Sequence, residues 1–184
     1  MPRDAMSGAI AVETLDTAGF ARSLDRLAEI LMACVHDGAS VGYVLPFPIE
    51  AARGFWRDRV APAHAAGGRF VLAARRAGEL VGTAQLDLDP APSKRHHAEV
   101  SKVLVDPASR RCGAGRALMV EIERLARIEE RWLLTLDTAG KAAEALYRDL
   151  GYRLAGEIPD YARDARDPGR YDVTRIMYKD LRIA

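Results

Sequence analysis

Cysteine is scarce: Cys34 and Cys112 are the two in a chain of 184 residues. Two thiols cannot build the disulfide framework of a small secreted domain. An excess of either charge is missing as well, since 27 Lys and Arg meet 26 Asp and Glu for a net charge of +1. That leaves no broad basic face for general nucleic-acid binding. No apolar run approaches membrane-spanning length, and residues 1–8 lack the apolar core of a signal peptide. No repeat, low-complexity tract or Pro/Ser linker divides the chain. What is present is ordinary globular usage, 49% apolar and 29% charged, enough for one domain with a sizeable core. The expectation is a flexible segment over residues 1–9 and a single domain over 10–184, cytoplasmic, with no nucleic-acid or membrane partner.

Hydrophobic spacing supplies the elements. Residues 10–15 read as a strand, and Asp16-Thr17 caps a helix whose apolar face is Phe20, Leu24, Leu27, Ile30 and Leu31. A loop covers 38–47. Pro48 at a first helical position opens a second helix through Phe55, Trp56 and Val60, which Gly67-Gly68 stops. Residues 70–74 and 80–86 form a hairpin turning at Gly78. A third strand runs from about 98 to 105. After a helix at 117–128, residues 132–137 read as a buried strand, 142–150 as a short helix ended by Gly151, and 152–158 and 173–178 as closing strands around a polar loop. The class is α+β, one mixed sheet flanked by helices.

The chemistry concentrates in Arg110-Arg111-Cys112-Gly113-Ala114-Gly115-Arg116, between the third strand and the helix that follows. A glycine turn opening a helix leaves backbone N–H groups without intrahelical partners, and the helix dipole adds positive potential there. Such a turn favours an anion. Its spacing excludes two common versions: Gly115 is followed by Arg116-Ala117, not the Lys-Ser/Thr of a P-loop, and the third small position of a dinucleotide fingerprint falls on Leu118. What fits is Arg-x-x-Gly-x-Gly at Arg110, Gly113 and Gly115, preceded by Val103-Leu104-Val105-Asp106-Pro107.

That motif resembles the acetyl-CoA signature of the GNAT N-acetyltransferases. The segments His36-Asp37-Gly38-Ala39-Ser40-Val41-Gly42-Tyr43, Ala98-Glu99-Val100, Leu136-Asp137-Thr138 and Gly156-Glu157-Ile158-Pro159-Asp160-Tyr161 are similar to the tabtoxin-resistance acetyltransferases within that superfamily, from about Ala18 onward. The resemblance implies the GNAT fold, with a mixed and mostly antiparallel central sheet. It also implies an acetyl-CoA-dependent enzyme without a metal, which acetylates the amino group of a small amino-acid-like acceptor by direct attack in a ternary complex. A toxin or antibiotic is such an acceptor. Homodimers are frequent in the superfamily. The catalytic roles fall on Glu99, Asp137 and Tyr147. Cofactor contacts fall on Val103, Leu104, Val105, Arg110, Arg111, Cys112, Gly113, Ala114, Gly115, Arg116, Ala117, Thr138 and Arg148, and acceptor contacts on His36, Ser40 and Tyr43.

The residue types suit those roles. An alkylamine is mostly protonated at neutral pH and must lose a proton before it attacks a thioester, so carboxylates at Glu99 and Asp137 can orient and deprotonate it. Backbone N–H groups of Val103 to Val105 are candidates for the oxyanion, and Tyr147 can hold a proton toward the leaving sulfur. Structural roles compete. Glu99 reads equally as a solvated strand charge, Asp137 as a cap for the next helix, Tyr147 as core and the arginines as surface charges. His96-His97 beside Glu99 imitates a metal cluster without further ligands, and Trp56 reads as core. Two other functions remain open from sequence: a non-catalytic acetyl-CoA sensor, and an acetyltransferase of protein N-termini or lysines.

Overall fold

A computed structural model describes residues 8–88 and 91–183; most of the segment expected to be flexible, 1–7, lies outside them. The elements are β1 (Ile10–Thr14), α1 (Thr17–His36), α2 (Ile49–Gly54), a π-helical stretch (Phe55–Val60), α3 (Ala61–Ala65), β2 (Arg69–Arg76), β3 (Glu79–Asp87), β4 (His97–Val105), α4 (Ala114–Ile128), β5 (Leu133–Thr138), α5 (Lys141–Asp149), β6 (Arg153–Arg163) and β7 (Tyr171–Asp180). They form one seven-stranded sheet in the order β1-β2-β3-β4-β5-β7-β6. Every neighbouring pair is antiparallel except β4 and β5.

Strand alternation sorts the core into two layers. Leu72, Ala74, Ala84, Leu86, Ala98, Val100, Leu134 and Leu136 face α4 and α5, where Leu118, Met119 and Ile122 meet them. Val71, Ala73 and Leu104 face the other way, toward Leu27, Ile30, Leu31, Trp56 and Val60 of α1 and the helical segment after it. Asp16 caps α1 as its position predicts, accepting from the Gly19 N–H at 2.6 Å.

The structure corrects three boundaries. Pro48 is the cap residue rather than the first helical one, and the helix it introduces loosens into the π-helical stretch at Phe55–Val60. That stretch buries Trp56 completely while leaving Phe55 partly open. Helix α4 begins at Ala114, three residues before its apolar pattern, because Gly113 turns the chain at φ +88°. Strand β6 continues to Arg163 and β7 starts at Tyr171, so the polar loop shrinks to 164–170. Strand β6 is a sheet edge, exposed on nearly every residue, and its register slips twice against β7. Polar edge strands with bulges carry no clean period of two.

A bulge in β4 matters most for the site. Thr83 and Gln85 of β3 are two residues apart, yet their partners Leu104 and Ser101 are three apart. The additional residue falls beside Lys102, whose φ is +50°. Side-chain parity therefore reverses: Val100 and Val103 both pack toward α4, while Ser101 and Lys102 lie between them. Gly82 permits the close approach at this point, since a β-carbon there would stand 2.8 Å from the Leu104 carbonyl oxygen. Gly82→Ala is expected to lower unfolding free energy by about 1–3 kcal/mol in urea titrations. An unchanged midpoint would show that the two strands can separate freely.

Candidate active site

Pairing between β4 and β5 consists of His97↔Leu133, Ala98↔Leu134 and Glu99↔Thr135, and then stops. Beyond Glu99, β4 is paired with β3 alone while β5 continues against β7. The strands diverge into a cleft. Alternate main-chain groups of β4 between Val100 and Val105, the Val103 to Val105 segment among them, face it with no strand to receive them.

The glycine turn lies where β4 leads out of that cleft. The first intrahelical bond of α4 runs from Ala117 N–H to the Gly113 carbonyl at 3.0 Å, which leaves the N–H groups of Ala114, Gly115 and Arg116 without intrahelical partners. A β-carbon on Gly115 would press to 3.2 Å of Leu146, so glycine also lets α5 pack close to the start of α4. Cys112 packs against the α4 layer. The approach to the turn is braced by Asp106, which accepts from Ala108 N–H at 2.9 Å and from the Arg26 guanidinium at 2.5 Å. This arrangement fits an extended ligand ending in phosphates: an open strand edge for its arm and oriented donors for its anion.

Two arginines of the turn and one on the neighbouring α5 are already engaged. Arg110 meets Asp37 at 2.5 Å, Arg116 meets Asp149 at 3.3 Å, and Arg148 meets Glu144 at 2.8 Å. All three are about half exposed, so these pairs are individually weak and phosphate can compete with them. Arg111, at φ +64°, has no recorded ion pair among the described residues.

Glu99 and Asp137 share one face of the sheet on adjacent parallel strands, with Thr135 between them. Both are exposed to the cleft. Asp137 does not cap α5; Gly140 does that without a side chain. Its carboxylate instead accepts a hydrogen bond at 3.3 Å from the hydroxyl of Thr174, which is buried on β7. Thr138 accepts from Gly140 N–H at 3.3 Å and so shapes the turn into α5. Tyr147 comes from α5, only 5% exposed. Burial and the nearby Asp137 charge both push its phenol above the ordinary tyrosine value.

The expected acceptor residues divide. Tyr43 joins an aromatic cluster, 4.4 Å from the Phe47 ring and 5.9 Å from Phe55. His36 spends one ring nitrogen on the Phe47 carbonyl at 2.9 Å, which fixes the loop after α1. Ser40 is partly buried in that loop. The far end of the β6–β7 hairpin closes over it: Leu45 N–H donates to the Ala165 carbonyl at 2.8 Å, and Arg166 lies over Gly38. His96 stacks on Trp132 at 4.4 Å and His97 bonds Thr135 at 2.6 Å, so both are structural. No group of three His, Cys, Asp or Glu among the described residues could hold a metal, and none of their helices is long and apolar enough to cross a membrane.

Two residues beside the candidate site are not singled out by the sequence. Lys102 stands at the bulge, its Nζ 5.5 Å from the Phe55 ring centre. Phe55 itself reaches that position from the π-helical stretch. A lysine inside an apolar strand run carries no periodic signal; a bulge is what turns it toward the cleft.

Comparison with known proteins identifies the family. The model of the acetyltransferase (GNAT) family matches residues 26–152. A ribosomal-protein-alanine N-acetyltransferase from Brucella melitensis shares 26% identity at a TM-score of 0.73, covering 93% of this chain and 99% of its own. A phosphinothricin acetyltransferase from Sinorhizobium meliloti, solved with acetyl-CoA, shares 20% identity at 0.76, covering 94% and 88%. A family member from Kribbella flavida shares 23% at 0.74, covering 94% and 98%. The chain belongs to the GNAT acetyltransferase family. That family is one of acetyltransferases, and the cleft between β4 and β5 and the glycine turn both lie within the matched residues.

Cys34 is unsuited to act as a nucleophile. It is 2% exposed, its Sγ donates to the Val105 carbonyl at 3.4 Å, and burial pushes its thiol up to about 11. An unfolded cysteine ionises near 8.5, so the folded state holds its proton longer. Stability from this group is complete below the unfolded value and is lost as pH rises toward 11, amounting to roughly 3 kcal/mol. Urea melts between pH 8 and 11 are expected to show a shallower decline for Cys34→Ala than for the parent chain. Parallel declines would remove Cys34 from the account.

Proposed function

We propose that the protein acetylates the primary amine of a small amino-acid-like acceptor by direct attack within a ternary complex, in the manner of the toxin- and antibiotic-resistance acetyltransferases. The observation that carries this reading is the placement of Glu99 and Asp137 on one face, at the point where β4 and β5 part. The acceptor's ammonium binds between the carboxylates, which pass one proton to water. The freed amine attacks the thioester carbonyl lying along β4. Main-chain N–H groups of Val103 to Val105 receive the negative charge that develops on oxygen. As the carbon–sulfur bond breaks, a second proton leaves nitrogen and ends on the thiol, so the amine loses two protons in all.

Tyr147 has a defined part in that last step. Its phenol is held above the ordinary tyrosine value, whereas a thiol ionises near 8.5. Outright transfer from phenol to thiolate is therefore uphill. Tyr147 acts by hydrogen-bonding the departing sulfur, keeping its own proton.

The closed loop around Gly38 and Ala165 supports a small acceptor over an extended peptide. The 26% identity to an enzyme named for a ribosomal-protein alanine supports the second reading, a protein N-terminus. A pure acetyl-CoA sensor has no need of the oriented Asp137. Free thiols at Cys34 and Cys112 suit the reducing cytoplasm.

The test is thiol release from acetyl-CoA over a panel of amino acids, small amines and N-terminal peptides. Turnover of amino acids supports the proposal, exclusive turnover of peptides favours the second reading, and tight acetyl-CoA binding without turnover favours a sensor. Tyr147→Phe is expected to lower kcat about 10–100-fold with a smaller effect on the acetyl-CoA KM. An unchanged kcat would remove the tyrosine from the mechanism.

A further inference from the structure

We propose that Lys102 binds the anionic group of the acceptor, so that the enzyme selects amines carrying a carboxylate or a similar acid a few bonds away. This rests on the acetyl-transfer reading above and names the residue that would recognise the substrate class.

Three observations converge on it. The first is the bulge, because without it residues 99 and 102 would point to opposite faces of β4. The additional residue brings Lys102 onto the face of Glu99 and Asp137, at the cost of a left-handed backbone that lysine rarely adopts. Strained residues of this kind cluster where ligands bind.

The second is the lysine's unmet charge. Lysine is seldom withdrawn from water without a partner, yet Lys102 is partly buried and makes no hydrogen bond or ion pair among the described residues. Its recorded direct contact is the Phe55 ring. Burial works against its charge, while Asp137 and Glu99 act from a distance to preserve it.

The third is the surrounding shell. Phe55 is held over the lysine by a π-helical stretch, a helix irregularity frequent at functional sites. Gln85, which faces Ser101 across β3 and β4, is 1% exposed and its amide nitrogen has no partner among the described residues. A buried donor without a partner is rare in folded proteins. The face thus carries two carboxylates at the amine end and unused donors deeper in, a pattern complementary to a zwitterion. An uncharged amine would leave the ammonium of Lys102 without a counter-ion.

The test uses matched acceptors: an amino acid, its carboxamide and the amine lacking the carboxyl carbon, each assayed with acetyl-CoA. The parent enzyme is expected to favour the carboxylate by about 10–100-fold in kcat/KM, the range of one charge-assisted hydrogen bond. Lys102→Met is expected to erase most of that preference through KM, and Lys102→Arg to restore part of it. A merely structural role would lower all three acceptors together. Equal use of the three by the parent enzyme overturns the assignment and leaves acetyl transfer standing. That outcome needs no variant, so a poorly folding Lys102→Met does not protect the proposal. A rise in the acetyl-CoA KM alone would move Lys102 to the cofactor and overturn it too. Turnover of no acceptor at all sinks the acetyl-transfer reading and this inference with it.

Discussion

Pairing between β4 and β5 ends after Glu99 and Thr135, and beyond that point β3 is the one strand paired with β4 among the described residues. A buried strand edge is costly to leave unmade, so the remaining structure is arranged around a gap that a ligand can fill. On one side, α1 is pinned to the end of β4 by Cys34 and to the loop beyond it by the Arg26–Asp106 pair. On the other, β7 continues along β5 through six residue pairs and carries Thr174 to Asp137. Each half is braced by its own neighbours. The halves can part without weakening either one.

The electrostatics follow from that division. The phosphate turn depends on N–H groups that the helix start leaves over, which carry no desolvation cost of a formal charge. Arg110 and Arg116 of the turn and Arg148 of α5 are solvent-facing and share their charge with Asp37, Asp149 and Glu144. Such pairs contribute little stability; they hold the side chains near the turn while remaining exchangeable. Glu99 and Asp137, the proposed catalytic carboxylates, lie on the sheet face opposite the one that packs against α4.

The candidate cofactor turn is legible in the sequence because it is local. Gly113, Gly115 and the strand and helix around them lie within one continuous segment, and their spacing excludes the P-loop and the dinucleotide fingerprint. The carboxylates and Tyr147 were legible only through family resemblance. Their proximity depends on a parallel pairing between strands separated by a whole helix, which no local pattern encodes. Lys102 and Phe55 were hidden for a different reason. A β-bulge and a π-helical stretch each shift side chains by one residue against the expected period, and periodicity is the signal from which burial is read. Edge strand β6 was read short on the same grounds, since bulges and double exposure dilute its alternation.

One additional residue in β4 therefore links two functions that sequence treats separately. The bulge reverses the parity of the main-chain groups beyond it and turns Lys102 onto the face of Glu99 and Asp137. A shift in one register alters both. The pocket's charges also bear on the amine. Glu99 and Asp137 favour its protonated, binding form, while a bare ammonium at Lys102 opposes it, since like charges disfavour each other. A carboxylate seated on Lys102 would cancel that opposition as the acceptor enters. The amine would then approach two carboxylates with no uncompensated cation beside it. On this argument an acidic acceptor gains twice, through its own contact with the lysine and through easier binding of the ammonium it must later deprotonate.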